Sequence, residues 1–175
     1  QAYHCLRLGA EEVLPSDQQS LREWAVATQL PIPRILYGFS LSCFVHAFYM
    51  MLLSAPLAAM ALGLAGTPWI GVGWILAMFL VHSVAWMALG AIVYLYFGDR
   101  ALFCYLAARI ALGLVYLGSA LLLPAASAVR VPLAVLDSGA RPMEAALPFI
   151  GAYVCVFAVA VVALGFRLRR IHSTD

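Results

Sequence analysis

The chain has 175 residues, of which 65% are hydrophobic and 10% charged, with a mean hydropathy of +0.97 and a formal net charge of +2. Such values lie outside the range of soluble globular domains, and so small a positive balance gives no basis for binding nucleic acid. All ten basic residues are Arg, and between Arg34 and Asp99 there are 64 consecutive positions without a formal charge. A surface helix in water needs a polar face, so this stretch is read as lipid-embedded.

In chain order, residues 1–34 are polar enough to lie in water or at the membrane interface. Within them, Ser20-Leu-Arg-Glu23 fits a capping box, and Leu21, Trp24, Ala25 and Thr28 follow at helical spacing. Pro31 ends this short helix, and Pro33 suits the first turn of the next, with Arg34 at the membrane boundary. Two readings stand for the short helix: it rests on lipid, or it passes force from a cytoplasmic partner into the membrane.

The first span is predicted over 35–62, with a kink expected at Pro56, and the second over 69–97. A tight turn from Gly63 to Pro68 joins them. The third span covers 101–123 and ends at Pro124; the fourth covers 145–166. Between these, 124–144 carries Pro124, Pro132 and Pro142, and its apolar piece from Val129 to Leu136 is too short to cross. It reads either as a re-entrant segment covered by protein or as a surface loop with apolar contacts. Residues 167–175 form a tail.

Arginine placement sets the direction. With a cytoplasmic N-terminus, Arg7, Arg22, Arg34, Arg100, Arg167, Arg169 and Arg170 fall inside, and only Arg130 and Arg141 fall outside. The expected fold class is therefore all-α, a polytopic bundle of four transmembrane helices with both termini cytoplasmic.

Ionisable residues inside a membrane are costly and are candidates for function. His46 lies within the first span, His82 within the second and Arg109 within the third. Each histidine either bonds to a neighbouring helix, ligates haem or contacts a substrate. Their depths differ by about 7–8 Å at 1.5 Å per residue, which does not favour a shared haem. Arg109 either snorkels, pairs with Asp99, or lines a substrate path. The cysteines at 5, 43, 104 and 155 are too scattered for a zinc or redox motif and read as buried apolar residues. No Ser/His/Asp group or paired-carboxylate site is evident, so neither a catalytic residue nor a resident metal is expected.

Glu11-Glu12, followed by Leu21, Thr28, Leu30, Pro31, Ile35, Leu36 and Gly38 in that order, resembles the coupling-helix region of type-2 ABC exporter permeases. Pro56-Leu57 resembles the mid-span Leu-Pro-Leu of that family, and Pro132-Leu133 its outer Pro-Leu. The sequence departs from the family pattern at Gln19-Ser20, where Gly-Thr is usual, and at Phe39, where Lys is usual.

The resemblance implies spans three to six of a six-span permease, a coupling helix touching an ATP-binding cassette ATPase subunit through Glu12, Arg22, Glu23, Trp24 and Arg34, and an outer re-entrant gate. It also implies a second permease subunit, surrounding lipid, a bacterial inner-membrane location, and two further spans upstream of Gln1 or a companion chain that supplies them. The sequence has no phosphate-cradling Gly-rich loop, so ATP would be bound by the partner and no cofactor by this chain. The alternatives are a haem-binding or quinone-associated membrane anchor of an electron-transfer complex, resting on His46 and His82, and a scaffold subunit without activity.

Overall fold

The computed structural model describes residues 5, 30–64, 66, 68–97, 110, 113, 114, 117, 121, 125, 127, 128, 130–137 and 142–172. Among them the regular structure is helical, with four elements: α1 (Ile32–Leu64), α2 (Trp69–Phe97), α3 (Arg130–Asp137) and α4 (Pro142–His172). Helices α1, α2 and α4 are each long and apolar enough to cross a membrane, so the protein is a multi-pass integral membrane protein.

Helix α2 has the boundaries its sequence predicts, starting directly after Pro68. Helix α1 begins one turn earlier than expected, at Ile32, because the Pro31 carbonyl accepts from the Arg34 and Ile35 amides at 2.8 and 3.4 Å and closes the first turn. It runs on through Pro56. The turn after it holds the expected form: the Gly66 amide donates to the Gly63 carbonyl at 3.0 Å, and Gly66 has φ 75°, a left-handed conformation that favours glycine.

Helix α4 is longer than the span read from sequence. It starts at Pro142 and continues through Arg167, Arg169 and Arg170, which the sequence reading placed in a tail. Proline at the first helical position loses no intrahelical bond, and cations are favourable at a helix C-terminus. Helix α3 accounts for the short apolar piece before α4. Buried Ser127 caps it: its hydroxyl accepts from the Arg130 amide at 3.3 Å and its carbonyl from the Val131 amide at 3.1 Å. Val131 and Val135, one turn apart, are buried against α2 and α4, whereas Leu133 is exposed.

The packing order gives the helix directions. Ile75 and Met78 of α2 share a core with Ala146 and Phe149 of α4, and further along both helices His82 meets Tyr153. Thus α2 and α4 run parallel. Helix α1 is antiparallel to both: Ile35 packs with Leu164 and Leu168 near the end of α4, and Cys43 and Ala47 pack with Val84, Trp86 and Met87 of α2. A Cβ added at Gly165 would sit 3.1 Å from Leu36 Cδ1, so this glycine permits a close approach of α1 to α4.

The predicted third span falls largely outside the described residues. Its described members Ile110, Gly113, Leu114, Leu117 and Leu121 are helical, and the four larger ones are exposed. The proposed coupling helix lies outside the described residues entirely. Within 1–29 only Cys5 is described. It is helical, buried among Cys43, Ala47, Val84, Trp86 and Met87, and hydrogen-bonded to Ser83. At this position the chain lies against the middle of α2 rather than in water, because a small thiol fills the gap left beside Ser83.

Candidate functional site

Residues 82–88 of α2 are buried on every side, and polar groups enter the bundle here. His82 and Ser83 are 4% and 1% exposed. Small residues make the enclosure feasible: Ser83, Ala85, Ala88 and Ala91 let neighbouring helices approach α2 closely.

The His82 imidazole is held among aromatic rings from two helices. Its centroid lies 4.6 Å from that of Tyr153, edge to face at 71°. Trp86, one turn along α2, stands 6.0 Å away, also at 71°. Phe149 lies at 6.0 Å with a 30° tilt and packs on Tyr153 at 4.5 Å. These distances fall in the range of favourable ring pairs. Beyond this cage, the Ser83 hydroxyl pairs with the Cys5 thiol.

His46 is not part of this constellation. It is half-buried on α1, and its Nδ1 lies 3.1 Å from the Ser42 carbonyl of its own helix and 3.4 Å from Ser42 Oγ. Ser40 and Ser54 bond back to the Leu36 and Met51 carbonyls at 2.8 and 3.1 Å, the behaviour expected of serine in an apolar helix. The ring contacts of His82 are to Trp86, Phe149 and Tyr153, and the bonds of His46 to Ser42 stay within α1. A haem on His82 would need a broad planar space beside the imidazole, and the rings of Trp86, Phe149 and Tyr153 fill that space. The residues present do not fit a bis-histidine haem.

Arg34 is exposed at the start of α1, on the same end of the bundle as Arg167, Arg169 and Arg170 of α4, since Leu36 and Gly165 meet one turn further in. Glu12, Arg22, Glu23, Trp24 and Arg109 lie outside the described residues. Among the described residues no group of three or more His, Cys, Asp or Glu is placed to hold a metal. Cys5 and Cys43 are buried, whereas Cys155 is exposed on α4, against the expectation for a small apolar residue.

Sequence reasoning singled out His82 but missed Trp86, Phe149 and Tyr153 as its surroundings, and Cys5 beside Ser83. The signal for Tyr153 was present: it is the only tyrosine in 145–166, and a phenolic hydroxyl at membrane depth needs a partner. No family model, curated protein or solved structure matches the chain.

Proposed function

We propose that this protein is a transmembrane permease subunit of an ATP-driven exporter of the type-2 ABC class, working with a separate ATPase subunit and a second permease subunit in a bacterial inner membrane. In this reading the chain crosses four times, with the C-terminus and the arginine-bearing ends of α1 and α4 on the cytoplasmic side, while Cys5 packs into the bundle beside Ser83.

The observation that carries the reading is the joint at the start of α1. Pro31 closes the first helical turn with its carbonyl, Pro33 stiffens the same turn, and Ile35 and Leu36 pack on Leu164, Gly165 and Leu168 of α4. A push on the preceding segment would reach α1 with little loss to bending. The fourth crossing is supported by direction. Parallel α2 and α4 require the chain between them to return across the bilayer, and 101–123, about 34 Å long as a helix, carries no charged residue except Arg109. Helix α3, packed at the other end of the bundle against α2 and α4, occupies the place of the outer gate in this scheme.

The mechanism follows from these parts. Closure of the ATPase on ATP moves the short helix ending at Pro31, α1 tilts about its contact with α4, and the path beside the fixed α2–α4 core opens. To test this, the tagged full chain is purified from native membranes and vanadate-sensitive ATPase activity is measured in the eluate. Activity that follows the chain and falls at least tenfold in the triple variant Arg22→Ala/Glu23→Ala/Trp24→Ala supports the reading. Purified wild-type protein without such activity, or a triple variant that retains it, refutes it.

A further inference from the structure

We infer that the outward face of α4 is a binding site for an anionic phospholipid, with the lipid phosphate on Arg169 and an acyl chain in the groove below it. The groove is lined by Ala158, Val159, Val162, Ala163 and Phe166 and has a volume of about 350 Å³. Val159, Val162 and Phe166 are 69%, 57% and 61% exposed, so α1 and α2 leave this face open. Its lining is almost wholly apolar and suits hydrocarbon.

What distinguishes this face from an ordinary lipid-exposed surface is what stands at its end. Arg169 follows Phe166 by three residues and Val162 by seven, which places it directly above the groove on the same helical face. It is exposed, at the terminus of a helix whose next residue is also arginine. Glu144, the acidic residue of α4, lies in its first turn at the opposite end. An open apolar hollow on α4 with the Arg169 guanidinium at its end is complementary to a molecule with a long apolar chain and a phosphate monoanion at one end. A zwitterionic lipid offers the same chain but a headgroup whose ammonium opposes the arginines. The inference rests on the membrane-spanning nature of α4 and does not depend on the transport reading.

Native mass spectrometry of the detergent-purified full chain, given equal amounts of phosphatidylglycerol and phosphatidylcholine of the same acyl length, tests it. The wild type is expected to retain phosphatidylglycerol several-fold over phosphatidylcholine. Arg169→Gln should lower that preference toward parity while leaving phosphatidylcholine retention unchanged, and Val162→Trp, which fills the groove, should lower retention of both. Glycerol 3-phosphate, which has the phosphate without the chains, should not displace the lipid. Photoactivatable phosphatidylglycerol in nanodiscs gives a readout that needs no variant: its cross-links should concentrate between Ala158 and Phe166. Equal retention of the two lipids by wild type, an unchanged preference in Arg169→Gln, displacement by glycerol 3-phosphate, or cross-links spread over α1 would each overturn the site. So would spontaneous disulfide linkage of two copies through exposed Cys155, which would mean that a second copy covers this face.

Discussion

Helices α1 and α2 are neighbours of similar length and similar apolar character, yet in their most apolar stretch 6% of α1 is buried inside the bundle against 61% of α2. Hydropathy does not separate them, because in lipid an apolar side chain gains little by moving from acyl chains to protein. Side-chain size and polarity do separate them. Helix α2 carries Ser83, Ala85, Ala88 and Ala91 around His82 and Trp86, so neighbours come close and polar groups find company. Helix α1 turns Phe44, Phe48, Tyr49, Leu53 and Leu57 outward and touches the bundle through Ile35, Cys43 and Ala47. A helix held by one narrow stripe is free to tilt, and a helix enclosed on all sides is a fixed reference.

The largest expected effect comes from removing a ring at the centre of the enclosed region. Phe149 is 2% exposed and packs on His82 and Tyr153. Phe149→Ala should destabilise the bundle by about 2–4 kcal/mol, the cavity part of a core truncation, in reversible unfolding from mixed micelles. Leu57→Ala on α1, 74% exposed, should stay within about 0.5 kcal/mol. Equal losses in the two variants would erase the contrast.

The joint between the two regions is the next test. Gly165→Val puts carbon where Leu36 Cδ1 already lies 3.1 Å away and should cost about 1–3 kcal/mol. Adding Leu36→Ala should recover part of that loss, a coupling that the double-mutant cycle reads directly. Simple additivity would show that the contact does not hold α1 to α4.

Much of this contrast could not be read from the sequence. The start of α2 was legible because Pro68 and the Gly66 turn mark it sharply, and the short helix α3 was legible as an apolar piece too short to cross. The extension of α4 through Arg167, Arg169 and Arg170 was not, because arginines after an apolar run look like a tail until the helix dipole and the favourable position of cations at its end are considered. His82 stood out by its polarity, but its partners Phe149 and Tyr153 sit on a helix far along the chain, and no periodicity within α2 points to them. Cys5 lies in a segment that composition assigns to water, and only packing places it beside Ser83.

Smaller effects sharpen the picture at single groups. His82→Ala should cost about 1–3 kcal/mol through lost ring contacts, whereas His46→Ala, which loses a bond within its own helix, should cost under about 1 kcal/mol. Ser83→Ala should cost about 0.6 kcal/mol, the usual value of a hydrogen bond within a membrane bundle, and, because the Ser83 hydroxyl favours the Cys5 thiolate, should lower the reactivity of Cys5 toward a small membrane-permeant thiol reagent. Unchanged Cys5 labelling would remove that segment from the core.

In the proposed mechanism α1 moves as the chain works while α2 and α4 stay together. Spin labels on Leu57→Cys of α1 and on native Cys155 of α4 are both exposed and leave the described core intact. With the co-purified ATPase, the distance between them should change by more than about 2 Å, the scale of ordinary interface helix shifts, between the ADP and the ATP–vanadate states. A control pair on α2 and α4, at Phe79→Cys and Cys155, should hold its distance. An α1–α4 distance that is the same in both states, measured in a preparation that hydrolyses ATP, would contradict the claim.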